Sequence, residues 1–274
     1  MMIFSVIIAA KVIEPCRGYK KHTGKLMHIC IYKYKTSAMK KSIFTWAIIL
    51  TALSLGACRQ KSGSGVIITE KREAGLFRSV DVAEGIRLEY RKGEPSIEVE
   101  ADDNLVRYIK TQVRQDKLTV RLDKINVRNA TMVVHISQPT LNELEASSAA
   151  KIICLDPLSD PASIKFKASS AASIEASADA PAISARASSA SEILLRGRSR
   201  SIELDASSGS GIRARELMAE TAKAEASSGS SIELHSSLAG DARASSGSSV
   251  RYRGKPANVK KHEGSGGSVS GLDD

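Results

Sequence analysis

The stretch "ASSGSSIELH", residues 226–235, opens with six small residues that read alone as a flexible linker and closes in an alternating apolar/polar run that reads as a strand. It is one of six related copies. Ala-Ser-Ser recurs with its first alanine at Ala146, Ala168, Ala187, Ala206, Ala226 and Ala244, at intervals of 22, 19, 19, 20 and 18 residues. A period of that size, with strand alternation and no helical stripe, is the mark of a solenoid. Six positions after each origin stand Ile152, Ile174, Ile193, Ile212, Ile232 and Val250, a candidate core column. Eight positions after stand Cys154, Ala176, Leu195, Ala214, Leu234 and Tyr252, and two before stand Leu144, Phe166, Ala185, Leu204, Ala224 and Ala242. Those parities suit side chains pointing inward from two strands per coil.

The outward columns test the same register independently. One position before the origin, Glu145 precedes Lys167, Arg186 precedes Asp205, and Glu225 precedes Arg243 in successive copies. Three before, Glu143 would stack on Lys165, and Glu203 on Lys223 on Asp241; seven after, Arg213, Glu233 and Arg251 alternate. Stacked coils place such residues about 4.8 Å apart. Each exposed pair is worth only about 0–1 kcal/mol, so the alternation specifies register more than it stabilises the fold. "ASSGSS" then reads as a narrow corner between two strands, where small residues fit and hydroxyls bond one another or the backbone. Ser147, Ser169, Ser188, Ser207, Ser227 and Ser245 would form one structural serine row. The expected fold is all-β: a single-stranded parallel β-helix, or β-solenoid, with 18–22 residues per coil. It has seven to nine coils and a length of about 35–45 Å. "GSGGSVSGLDD" at the end reads as one more degenerate corner or a frayed tail, with Pro256 and the charges before it blunting the last edge.

The formal net charge of +10 suggests a nucleic-acid or membrane binder until it is located. Residues 1–57 hold nine Lys/Arg against Glu14, whereas residues 58–274 hold 31 Lys/Arg against 29 Asp/Glu. The excess belongs to the leader, and no nucleic-acid partner is expected. Residues 39–57, "MKKSIFTWAIILTALSLGA", have a basic start and an apolar stretch too short to span a bilayer comfortably, and Cys58 follows. Leu55-Gly56-Ala57-Cys58 resembles the lipobox of bacterial lipoprotein signal peptides. That resemblance makes Cys58 the lipid attachment site and the membrane a partner through its lipid. Residues 1–38 are expected to be an over-extended start outside the mature protein, and residues 58–75 the lipidated cysteine and a polar Gly/Ser-rich tether. Cys154 is then the only other cysteine of the mature chain, so no intrachain disulfide is possible beside a lipidated Cys58.

Residues 76–140 read as short strands and less regular coils that cap or begin the stack. Val80, Val82, Ile86, Leu88 and Tyr90 flank a Glu84-Gly85 turn. Leu105, Ile109 and Val113, four residues apart, allow a short helix. Residues 141–271 carry the Ala-Ser-Ser repeats.

Catalytic signals are sparse. The serines form no Gly-x-Ser-x-Gly elbow, and His135, His235 and His262 share no metal-ligand spacing with one another. Asp102-Asp103 suits a turn better than an acid/base couple, and the acids of the repeats alternate with Lys/Arg as on a self-neutralised face. No catalytic residue, metal ligand or cofactor is expected. Phe77, Tyr90, Tyr108, Phe166 and Tyr252 are the only aromatic residues after the leader, too few for a ladder of sugar-stacking rings.

The combination of "FRSVDVAEGIRLEY" from Phe77, "IEVEADDNLVRYIKTQV" from Ile97, "MVVHISQPTLNELEASSAAKI" from Met132 and the serine-rich repeats resembles the putative auto-transporter adhesin, head GIN domain family. The likeness covers residues 76–270 and rests most on Phe77, Val80, Val82, Gly85 and Asp103-Asn104-Leu105. It implies a β-solenoid and a cell-envelope address in a family widespread among Bacteroidetes lipoproteins and secreted proteins, with no catalytic residue to carry over. The expected function is a non-catalytic, lipid-anchored outer-membrane or other envelope scaffold that binds glycan or protein along a flat face. An envelope sensing or regulatory module is the alternative, and a carbohydrate-active β-helix enzyme comes third.

Overall fold

The structure, a computed structural model, describes residues 60–271. Residues 1–38, expected to be an over-extended start, residues 39–57, expected to be a signal peptide, and Cys58 lie outside the described residues. The first part of the domain forms β1 (Gln60–Ser62), β2 (Ile67–Arg72), β3 (Ser79–Val82), β4 (Arg87–Lys92) and β5 (Ser96–Asp102). After a 3-10 turn (Val106–Tyr108) come β6 (Ile109–Arg114), β7 (Lys117–Leu122), β8 (Asn126–Arg128) and β9 (Met132–Gln138). The repeats give β10 (Glu143–Ala146), β11 (Lys151–Cys154), β12 (Leu158–Ser159), β13 (Ser163–Ala168), β14 (Ser173–Ala187), β15 (Glu192–Ala206) and β16 (Gly211–Ala226). The last coils hold β17 (Ser231–His235), β18 (Ala239–Ala244), β19 (Ser249–Arg253), β20 (Asn258–Glu263) and β21 (Ser268–Gly271).

These strands stack as a parallel β-solenoid of about seven turns with two main faces. One face runs β7, β3, β10, β13, the second halves of β14, β15 and β16, then β18 and β20, every neighbour parallel. The other runs β9, β4, β11, the first halves of β14, β15 and β16, then β17, β19 and β21. Ile152, Ile174, Ile193, Ile212, Ile232 and Val250 lie inside, each at most 1% exposed, and stack in register. Leu144, Phe166, Ala185, Leu204, Ala224 and Ala242 are buried opposite them. Of the third column, Cys154 and Tyr252 are only partly buried.

Each corner is a two-residue turn with both central residues at positive φ, as in type I′. Ser148-Ala149, Ser170-Ala171, Ser189-Ala190, Ser208-Gly209, Ser228-Gly229, Ser246-Gly247 and Ser265-Gly266 all take it, as does Glu84-Gly85 in the first coil. The turn is closed by amides such as Ser210 N donating to Ser207 O at 3.3 Å. The amide of the second central residue donates to the next coil, as Gly209 N does to Ser228 O at 3.0 Å. Serine and alanine in this conformation are sterically costly, which explains why glycine takes the second place in the later copies. The tail "GSGGSVSG" is a full corner followed by β21, rather than a frayed end.

The unequal repeat lengths have separate causes. The 20-residue interval from Ala206 to Ala226 carries a bulge, where Leu194 faces Arg213 but Arg196 faces Glu216. The 22-residue interval from Ala146 carries a loop after β11. Its Asp160, 5% exposed, accepts hydrogen bonds from the amides of Ala162 and Ser163 at 2.8 and 3.0 Å and pairs with Arg78.

The N-terminal part departs from simple winding in three ways. The coil of β7 and β9 lies outside that of β3 and β4, so β3 is flanked by β7 and β10, and β4 by β9 and β11. Antiparallel strands are added at this end: β6 on β7, β5 on β9 and β2 on β5. The segment of Leu105, Ile109 and Val113 forms only the single 3-10 turn before β6, in place of the short helix its spacing allowed. Its backbone is claimed by antiparallel pairing with β7, which overrides the local periodicity. Residues expected to be tether also form β1, paired with β8, and β2.

Candidate functional surface

The predicted serine row, Ser147, Ser169, Ser188, Ser207, Ser227 and Ser245, lies partly exposed at the first position of each corner. Its amides carry the stacking bonds, such as Ser207 N to Ala187 O at 3.0 Å, while its hydroxyls face outward with no hydrogen-bond partner among the described residues. The hydroxyls that bond belong to Ser191, Ser210, Ser230 and Ser248, three residues further on and at most 3% exposed. Each accepts from the corner's first amide, as Ser210 Oγ does from Ser207 N at 3.1 Å. Each donates to a carbonyl of the preceding coil, as Ser210 does to Ala187 O at 2.8 Å. Ala150 and Ala172 hold the equivalent buried place in the first two repeats. The constant Ala-Ser-Ser string points to the first serine, whereas the bonded hydroxyl stands at a place that is alanine in two repeats and serine in four.

Outward side chains on the face that ends at these corners pair along and across the stack. Lys167 reaches Glu143 at 2.7 Å, Lys117 reaches Glu145 at 3.0 Å, and Lys223 reaches Glu203 and Glu225 at 3.0 and 3.3 Å. Hydrogen bonding from Lys167 holds the Glu143 carboxyl below its ordinary range. Burial pushes Lys117 down, but Glu145 outweighs it and raises the ammonium overall. On the second face Arg196 bridges Glu175 and Glu216 at 3.0 Å each, and Arg213 meets Glu192 at 2.7 Å. Two shallow grooves open on the first face. One is lined by Ser163, Ser184, Ser201 and Thr221 beside Glu203 and Lys223; the other lies between the Glu145–Lys167 row and Ser169, Ser188 and Ser207.

One cluster escaped the sequence reading. His135 on β9 stands between Glu89 of β4, 3.3 Å from Nδ1, and Glu100 of β5, 3.1 Å from Nε2. His135 follows Glu100 by 35 residues in the chain and meets both acids only because β9 joins β4 and β5. Both carboxylates are directed at the imidazole rather than at open space between them. His235 and His262 lie elsewhere, on β17 and β20. Cys154 packs against the core, and burial pushes its thiol up to about 12, which keeps it protonated and a poor nucleophile near neutral pH. Among the described residues no His, Cys, Asp and Glu group is arranged to hold a metal ion.

A family model described as "putative auto-transporter adhesin, head GIN domain" matches residues 76–256. No curated protein matches the chain. Among solved structures, a "putative adhesin" from Bacteroides fragilis NCTC 9343 aligns at 18% identity with a TM-score of 0.73, covering 77% of this chain and 100% of that one. A "putative adhesin" from Parabacteroides merdae ATCC 43184 gives 18% identity and 0.66, over 79% and 100%. A "putative lipid binding protein" from Parabacteroides distasonis ATCC 8503 gives 17% and 0.67, over 78% and 100%. At these identities the likeness is one of fold.

Proposed function

Because this chain belongs to the putative auto-transporter adhesin, head GIN domain family, we propose that it is a lipid-anchored envelope scaffold that presents a flat solenoid face to a glycan or a surface protein. The observation that carries this reading is the unbroken parallel register of the face from β7 to β20. It repeats charge-paired rungs and uncharged hydroxyls at one coil spacing, as a binder of extended or repetitive partners requires. The reading places diacylglycerol on Cys58 and the protein at the outer membrane, with the rod away from the cytoplasm.

Catalysis has no part in the proposal. Glu143 and Glu203 on the first face are engaged by lysines, and the cluster on β4, β5 and β9 engages both of its carboxylates with His135. Release of reducing sugar from envelope polysaccharides, lost in Glu100→Gln, would overturn that part.

Two measurements test the rest. A membrane-impermeant amine-reactive label added to intact cells is expected to modify the domain; labelling only after the outer membrane is broken would sink surface adhesion. The purified protein is then expected to bind members of a glycan array or an envelope protein, and to bind less when Ser201 and Thr221 in the groove are both changed to Glu.

A further inference from the structure

"SGSG" at residues 62–65 has the composition of a spacer, yet it is fastened to the domain. The Asp102 carboxylate, 2% exposed, accepts hydrogen bonds from Gly65 N at 2.7 Å and Thr131 N at 2.8 Å. A Cβ at Gly63 would lie 2.5 Å from that carboxylate, so the glycine serves close approach rather than mobility. Asn104 donates to Ser62 O at 3.0 Å, Asp103 N donates to Val66 O at 2.9 Å, and β1 pairs with β8 from Gln60 onward. The folded domain therefore begins two residues after Cys58, a span of about 7 Å.

The same end of the stack carries an unusual surface. Of the seven large apolar residues that are exposed among the described ones, three are consecutive: Val66, Ile67 and Ile68, at 57%, 43% and 39%. β2 is an edge strand paired only with β5, and Arg72 at its end donates to Val106 O at 3.3 Å beside the 3-10 turn. On that turn Tyr108 sits between two cations. Lys61 Nζ lies 2.9 Å from its hydroxyl and 4.6 Å from the ring centroid, and the Arg107 guanidinium lies 5.0 Å from the centroid. Exposed aliphatic residues at the same end of the stack as a tyrosine flanked by lysine and arginine match the chemistry of the bilayer interface.

We propose that this end of the solenoid is a membrane-docking base, in which Val66, Ile67 and Ile68 enter the headgroup region while Lys61 and Arg107 meet anionic lipid. The inference rests on the reading of Cys58 as the lipid-bearing residue. The short span to β1 is what commits the surface to a bilayer: a domain held within about 7 Å of its lipid cannot lift this end clear of the membrane.

Trp46 in the leader is the only tryptophan, so the processed protein offers a dark background. The full chain is expressed with its own leader, and the purified product is placed in phosphatidylethanolamine/phosphatidylglycerol vesicles with brominated acyl chains. Ile67→Trp and, as a second reporter, Val66→Trp are expected to be blue-shifted and quenched, while Leu238→Trp, exposed several coils away, is not. Adding Lys61→Gln or Arg107→Gln to Ile67→Trp should lower the docked-to-undocked ratio about fivefold. Mass spectrometry of the same sample separates the two ideas. Diacylglycerol on Cys58 with unquenched reporters at 66 and 67 overturns the docking base and leaves the anchor. Absence of the lipid overturns the anchor and the docking base with it.

Discussion

Three corners hold alanine where the backbone asks for glycine: Ala149, Ala171 and Ala190 sit at φ of 60–62°, whereas Gly209, Gly229 and Gly247 sit at 71°. A Cβ at Gly209 would meet nothing within 4 Å, so adding a methyl there tests conformation alone. Ala190→Gly is expected to stabilise the protein by about 1 kcal/mol and Gly209→Ala to destabilise it by about as much, read from urea midpoints. The buried hydroxyls give a second test. Ser210→Ala removes two hydrogen bonds but orphans neither partner, because Ser207 N still donates to Ala187 O; it should cost about 1 kcal/mol. Ser207→Ala should change the urea midpoint by nothing measurable, and an equal loss at both positions would refute this assignment of the serines. Inward and outward columns were legible because parity in a strand fixes the side of each residue. The bonded hydroxyl was not, since only the folded turn brings its fourth residue back over its first amide.

Along single elements, spacing told more than composition. The six origins gave the coil length, but the bulge opposite Leu194 and Arg196 could not be told from a longer turn, because both add one residue to the interval. Gly197 marks the coil next to it. At φ 116° its Cβ would lie 2.1 Å from Ala178 O, so Gly197→Ala should cost about 3 kcal/mol or more and lower the melting temperature sharply. The loop after β11 adds a pH dependence. Burial pushes the Asp160 carboxyl up, but the amides of Ala162 and Ser163 and the guanidinium of Arg78 outweigh it and hold the group below its ordinary range. A depressed folded-state value means that its contribution is present above the unfolded carboxyl range and lost as pH falls through it. Asp160→Asn is therefore expected to flatten the fall in stability below about pH 4 relative to the parent, as followed by circular dichroism. The run from Leu105 to Val113 shows where periodicity misleads: Leu105 and Ile109 are buried as a helix would have them, but beneath the end of a stack and on a strand.

At the scale of the domain, the repeats announced a stack, and the family resemblance agreed. The order of its first coils was hidden, because β7 and β9 share no repeated string with the rest and reach β3 and β4 only through distant pairing. That order has a kinetic meaning. A chain threaded across a membrane from its N-terminus presents Ser79 long before either neighbour, Lys117 or Glu143, has emerged. The first coil must wait, and it is then enclosed from both sides. Every later coil meets a finished edge and adds to it one turn at a time, so the rod grows in one direction from a seed. Chains stopped after Gly247 or Gly229 are thus expected to yield shorter rods that resist limited proteolysis. Deletion of residues 96–140 should leave every repeat present and none protected, because growth then has no first surface on which to begin.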